Sequence, residues 1–160
     1  MPYALVNHTH EREVARHLGA PVAFMPHVAP FFVGITLTIT VPLRTRFTPD
    51  AASRIAGPPL TTDSAHARVV ARYAGERLVR VQREVPEVRD IRGTHGVTIG
   101  GVVVDAAASR VALVVTLDNL LKGAATQAVQ NMNLALGFDE LLGVSSLAPA
   151  TSPADNGRAR

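Results

Sequence analysis

The sequence predicts an α+β fold: an antiparallel or mixed sheet with helices packed against one face. Three observations predict it. Residues 35–43 alternate Ile35, Leu37, Ile39 and Val41 with Thr36, Thr38 and Thr40, the period-two pattern of a strand. Two more β-rich runs, 97–104 and 111–117, lie either side of a short break. No G-x-G-x-x-G follows any strand pattern, so no dinucleotide-binding unit is visible. With 160 residues the chain suits one domain. A chain of that length buries roughly two thirds of its unfolded surface, which is enough for a core.

The elements follow in order. Residues 8–19 read as a short helix, with Val14 and Leu18 four apart and Gly19 as the stop. Pro21 leads into a short strand at 22–25, and the strand at 35–43 comes next. Residues 44–62 form a connection, broken firmly at Gly57-Pro58-Pro59. Thr62-Asp63-Ser64 can cap a helix to about Ala74, with Val69, Val70 and Tyr73 on one side. Residues 78–82 are a strand candidate. Residues 106–109 join the last two strands as a turn, although the glycine usual there is missing. Gly100-Gly101 falls inside a strand pattern and reads as a bulge or a close packing contact.

A final helix spans about 120–136 and stops at Gly137. Between Lys122 and Asp139 it carries no charge, only the amides Gln127, Gln130, Asn131 and Asn133. Such a helix is expected to be buried on most sides, with amides where hydrogen bonds are needed. Lys122 is the one lysine in the chain, against fifteen arginines. From Ser145 onward the composition turns to Ser, Pro, Ala and Asn, which predicts a disordered tail.

Composition excludes several functions. The net charge is +3, but the arginines are interleaved with acids, as between Arg77 and Arg92. Two tyrosines and no tryptophan leave no base-stacking platform, so no nucleic-acid partner is expected. No apolar run approaches the ~20 residues that span a bilayer. The first turns hold Glu11, Glu13 and three histidines rather than a secretory signal. The chain reads as soluble, with no membrane partner. The absence of cysteine excludes disulfides, thiolate metal sites and thiol nucleophiles.

Four ordered blocks carry a family resemblance. Asp118-Asn119-Leu120-Leu121-Lys122-Gly123-Ala124 resembles the D-N-L-x-K-G-A block of N-acetyl-gamma-glutamyl-phosphate reductases. The extension through Gln130-Asn131-Met132-Asn133 and Gly137-Phe138-Asp139-Glu140 is similar to that family rather than to the related aspartate-semialdehyde dehydrogenases. His8-Thr9-His10 with Glu13 resembles its H-x-H-x-x-E segment. Phe24, Pro26, His27, Pro30 and Gly34 resemble F-x-P-H-x-x-P-x-x-x-G. Gly93-Thr94-His95-Gly96-Val97 with Ile99-Gly100 is similar to the form seen in fungal mitochondrial members.

The resemblance implies a two-domain enzyme of arginine biosynthesis, which reduces N-acetyl-glutamyl 5-phosphate to the semialdehyde through a cysteine thioester. One domain is a Rossmann fold holding NADPH and the cysteine. The other resembles the catalytic domain of glyceraldehyde-3-phosphate dehydrogenase. Residues 1–143 match only this substrate-binding and dimerisation domain with its returning C-terminal helix, and 144–160 are the tail. The NADPH domain is expected to be absent, supplied in cis or in trans, and the chain alone to be inactive. The alternative is a non-catalytic dimerising or regulatory module. A homo-oligomer is implied, in the mitochondrial matrix if the source is fungal and in the cytoplasm otherwise.

Site residues follow from the same blocks, except Arg89, which lies near the family's substrate-side loop. The resemblance makes His10 the catalytic base, with His8 and Glu13 assisting; histidine suits proton transfer near neutrality. Without it, the pair reads as exposed histidines at a helix start; a metal site with Glu13 is a further reading that no other ligand cluster supports. His27, Arg89 and His95 are the substrate-binding candidates. Asn119, Lys122 and Gly123 are the cofactor-binding ones, Asn119 toward the nicotinamide. Lys122 and the first turn of the last helix would offer charge and free N–H groups to an anion. Asp118 reads equally as a plain helix cap. At Val33 the family usually has a polar residue, so a plausible anion ligand is missing there.

Overall fold

The structure is a computed structural model and describes residues 1–43, 60–107 and 109–144. The expected disordered tail, apart from Val144, and most of the 44–62 connection lie outside the described residues. The chain divides into two compact units, Met1–Phe32 and Val33–Arg160.

In the first unit, helix α1 (Thr9–Leu18) forms where the spacing predicts it. His8 is its N-cap: the ring Nδ1 accepts from His10 N–H at 3.2 Å. Gly19 closes it at φ 65°, which costs glycine no Cβ clash. The expected strand at 22–25 does not form. Pro21 and Pro26 bracket it without donors, and the Phe24 N–H goes to Glu11 Oε1 at 2.9 Å instead of to a ladder. Pairing shrinks to a bridge between Pro2 and His27, flanked by Tyr3 N–H to Pro26 O and Val28 N–H to Met1 O.

Among the described residues, the second unit is built on a four-stranded mixed sheet. Its strands are β1 (Ile35–Pro42), β2 (Val79–Val81), β3 (Val97–Asp105) and β4 (Arg110–Leu117), in the order β1-β4-β3-β2. The β1–β4 and β4–β3 pairs are antiparallel and the β3–β2 pair is parallel. Thr36, Thr116 and Thr98 form one cross-strand row, in which Thr116 is fully buried. Helix α2 (Thr62–Arg72) packs on β3 and covers a core of Ala65, Val102 and Val111, ringed by Leu43, Leu60, Val69, Val104 and Leu113. Its cap is Thr61, one residue before the expected Thr62: Thr61 and Ser64 form a reciprocal capping box. A one-turn helix α3 (Val88–Ile91), anchored by buried Ile91, is too short for periodicity to reveal.

Two burial expectations fail. The Ile35, Ile39 and Val41 side chains of β1 remain exposed; among the described residues β1 is an edge strand, paired with β4 alone. The uncharged segment is not one buried α-helix. It opens as a π-helical turn, Leu121–Ala125, and continues as α4 (Thr126–Ala135). Thr126, Gln130 and Asn133 are buried, while Met132 and Leu136 stand 54% and 61% exposed. One polar seam faces the rest of the fold, and the apolar side is open.

The Gly100-Gly101 reading holds. The β3–β4 register shifts between Gly100 and Val103, and Gly101 sits at φ 60°. A Cβ on Gly100 would strike the Glu84 carbonyl and lie 2.9 Å from Gln82 Cγ. Gly100→Ala is expected to cost about 1–3 kcal/mol, read as a lower urea midpoint at unchanged slope. A midpoint within error of the parent would show that the 82–84 segment moves aside freely.

Candidate functional site

Asp118 follows β4 directly and is 2% exposed. Its Oδ2 accepts from Gly93 N–H at 2.8 Å, and its Oδ1 accepts from Leu120 and Leu121 N–H at 2.9 and 3.0 Å. Burial pushes this carboxyl up, but the three backbone donors and the Arg92 charge outweigh it. The acid is held below its ordinary value. Next to it, Asn119 Oδ1 accepts from Gly34 N–H at 2.7 Å. Gly34 adopts φ 112°, and a Cβ there would strike Val88.

These bonds gather three loops: the one before β1, the one after α3 and the one after β4. Between them lies a shallow, open depression of about 470 Å³ lined by Val33, Arg89, Arg92, Gly93, Asp118 and Leu121. Arg89 pairs with Glu87 at 2.5 Å. Arg92 was not singled out from sequence, and Gly93 only as the first residue of a family block. Arg92 looked like one more scattered arginine, and only α3 brings it beside Asp118.

The other candidates in this unit are placed differently. His95 does not line the depression; its Nδ1 lies 2.7 Å from Thr126 Oγ1 and ties the start of β3 to α4. Lys122 does not face the depression either. Its Nζ donates to Gln127 and Gln130 Oε1 at 2.9 and 2.6 Å. Partial burial lowers the pKa of this ammonium, and Glu140 and Glu76 oppose that shift. Gly123 N–H donates to Asp118 O at 2.9 Å, and a Cβ there would stand 3.2 Å from Leu117 Cδ1. Its small size serves packing of the turn. The Leu120 and Leu121 N–H groups expected to meet an anion are instead taken by the Asp118 side chain.

The first unit holds His8, His10, Glu13 and His27. The His8 and His10 rings lie 4.6 Å apart, edge to face, and Phe24 sits 5.2 and 5.5 Å from them. Tyr3 closes the cluster at 5.9 Å from His8. Glu13 was expected to orient His10, but it is exposed and makes no hydrogen bond to that ring. Glu11 is the carboxylate that ties α1 to Phe24. The His27 ring is exposed, with Nδ1 3.0 Å from Met25 O. Among the described residues no group of three or more His, Asp or Glu is placed to hold a metal ion. No helix among them is long and apolar enough to cross a membrane.

Comparison with known proteins bears on this arrangement. N-acetyl-gamma-glutamyl-phosphate reductase of Xanthomonas campestris pv. campestris (strain B100) is 55% identical over 144 residues, which are 90% of this chain and 42% of that protein. Protein arg-6, mitochondrial, of Neurospora crassa is 48% identical over 147 residues, 92% of this chain and 15% of that protein. The chain thus spans about two fifths of the length of the bacterial relatives. Aspartate semialdehyde dehydrogenase II from Vibrio cholerae aligns with a TM-score of 0.49 at 28% identity, covering 68% of this chain and 28% of that one. The resemblance to N-acetyl-gamma-glutamyl-phosphate reductases read from the four blocks therefore holds across nearly the whole chain. A family model described as "Semialdehyde dehydrogenase, dimerisation domain" matches residues 1–119, and the chain belongs to that family.

Proposed function

We propose that this chain is the substrate-binding and dimerisation portion of an NADP-dependent N-acetyl-gamma-glutamyl-phosphate reductase. The observation that carries the reading is the 55% identity over 90% of the chain to a protein of that name. In this reading the chain acts with a cofactor domain, in cis or in trans, that holds NADP and supplies hydride. His10 is the general base toward the cysteine of that domain. Among the described residues its ring nitrogens have no hydrogen-bond partner, which leaves them available for proton transfer. His8 holds the start of α1 so that the His10 ring is presented beside Phe24. Arg89, which lines the depression, meets an anionic group of N-acetyl-glutamyl 5-phosphate. The exposed apolar residues of β1 support a homo-oligomer, since an edge strand of this kind invites a second copy.

The chemistry needs a thiolate, which attacks an acyl phosphate well and leaves a thioester that hydride can reduce. This chain has no cysteine, and a serine or threonine ester would be a poorer hydride acceptor. The pure chain is therefore expected to show no NADPH oxidation with N-acetyl-glutamyl 5-phosphate. Joining it to the cofactor domain of the Xanthomonas relative is expected to give turnover. Robust NADPH oxidation by the chain alone would sink the thiolate argument. The reading gives a cytoplasmic location for a bacterial source, which the higher Xanthomonas identity favours, and a mitochondrial one for a fungal source.

One observation favours a second reading, a non-catalytic dimerising or regulatory module. Val33 lines the depression at the position where the family usually has a polar residue. An inert joined protein that still dimerises would select this reading.

A further inference from the structure

Lys122 is the chain's one lysine, and the resemblance leaves its task unspecified beyond a general contact with the cofactor. The structure directs it elsewhere. The turn Leu121–Ala125 is π-helical: Gly123 N–H reaches Asp118 O, Ala125 N–H reaches Leu120 O, and Thr126 N–H reaches Leu121 O. Each bond spans five residues instead of the four of an α-helix. In an α-helix, residues three and four apart share a face. Gln127 is five beyond Lys122 and Gln130 is eight beyond. The extra residue in the wide turn brings both amides under the ammonium, where their oxygens accept at 2.9 and 2.6 Å.

The far side of this contact is anchored. Gln130 Nε2 donates to Glu140 Oε1 at 2.6 Å, so its oxygen is turned toward Lys122. Asn133 Nδ2 donates to the Glu140 and Leu142 carbonyls, both at 3.0 Å, and fixes the segment that carries Glu140. A cavity of about 150 Å³ beside Lys122 is lined also by Glu76, Arg77 and Glu140, and Lys122 is not among the residues that line the depression at Val33 and Arg92. An ammonium is a compact point donor that meets both amide oxygens from one nitrogen; arginine, used at every other Lys or Arg position here, would present a larger planar fork.

The near side of the turn is the site. Asp118 and Asn119 immediately precede it and hold Gly93 and Gly34 by side-chain hydrogen bonds of 2.8 and 2.7 Å. Relaxing the π turn to α removes one residue from the turn and rotates these side chains by about 100° around the axis, since an α-helix has 3.6 residues per turn. We propose that Lys122 is a positioning residue: clamped on Gln127 and Gln130, it keeps the turn π-helical and so sets Asp118 and Asn119 against the two loops that form the depression. Its importance for catalysis rests on the reductase reading; the clamp itself does not.

Amide hydrogen exchange on the pure chain tests the clamp. In Lys122→Met, protection of the Gly34 and Gly93 amides is expected to fall about 10-fold, while Val102 and Val111 in the core stay within about 2-fold. Unchanged protection at Gly34 and Gly93 overturns the proposal. A uniform loss across the sheet also overturns it, because that is a global stability effect. Should Lys122→Met fail to fold, Gln127→Leu, at an exposed position, decides by the same two amides with an expected fall of about 3-fold. In the protein joined to a cofactor domain, Lys122→Met is expected to lower kcat/KM about 10-fold with Tm unchanged. No activity even in the parent protein would count against the reductase reading, and the exchange result would still decide the clamp.

Discussion

Asp118→Ala is expected to destabilise the chain by roughly 3–5 kcal/mol, because three backbone N–H groups lose a charged acceptor at once. Hydrogen bonds to ionised groups are worth more than neutral ones, and each donor left buried without a partner adds its own desolvation cost. Asp118 is buried and joins the end of β4 to Gly93 and to the first turn of the last helix, so no local relaxation replaces it. Asp118→Asn keeps the shape but turns an N–H₂ toward one of the donors, and about 1–3 kcal/mol is expected. Urea unfolding at neutral pH reads both. A loss below ~1 kcal/mol in Asp118→Ala would mean that water serves these donors as well as the carboxylate does.

The same residue sets a pH dependence whose sign follows from its lowered pKa. When the folded value lies below the unfolded one, the unfolded chain binds more protons at acid pH, and stability rises with pH there. The Asp118 contribution is therefore complete above the ordinary carboxylate value of about 4 and is lost as pH falls through the lowered folded value. Parent and Asp118→Asn stabilities are expected to converge as the pH is taken below about 4. Parallel curves down to the acid limit would show that the carboxyl is not held ionised by the fold.

In the protein joined to a cofactor domain, His10→Asn is expected to lower kcat/KM by about 10²–10⁴-fold, the usual worth of a general acid–base group. Its ring is exposed and makes no hydrogen bond that holds α1, so stability is expected to change by no more than about 0.5 kcal/mol. The contrast with His8 is informative. The His8 ring caps α1 through Nδ1, and its loss acts through the helix as well as through the neighbouring ring. A drop of less than about 10-fold for His10→Asn would remove it from proton transfer. An equal drop for His8→Asn and His10→Asn, with matching losses of stability, would recast the pair as a structural cluster with Tyr3 and Phe24.

Much of the fold was legible. Alternation over 35–43, the two β-rich runs and the Gly100-Gly101 bulge all reflect local chemistry, so β1, β3 and β4 stand within a residue or two of the expected places. The helix at Thr9–Leu18 was legible for the same reason, through its apolar spacing and Gly19. Illegible features depended on distant partners. The strand expected at 22–25 is absent because the Phe24 donor was claimed by Glu11, thirteen residues away. The π turn was hidden because its spacing of five emerges only once Asp118, Gln127 and Gln130 have found their partners.

The candidate site divides in the same way. His8 and His10 came from a short motif, and their proximity is a consequence of one helix start. Arg92 beside Asp118, Asn119 on Gly34 and His95 on Thr126 join residues 26, 85 and 31 positions apart, and nothing in the local pattern announces them. By itself the sequence determined the family, the α+β class, the absence of a thiol and which residues could carry a proton or a charge. These are matters of residue identity and short-range period. Only the tertiary structure decided that Lys122 donates to Gln127 and Gln130 instead of lining the depression, and that the Asp118 side chain takes the Leu120 and Leu121 N–H groups. A side chain's task is set by whichever donors and acceptors the fold brings within about 3 Å, and that distance is not written in the spacing along the chain.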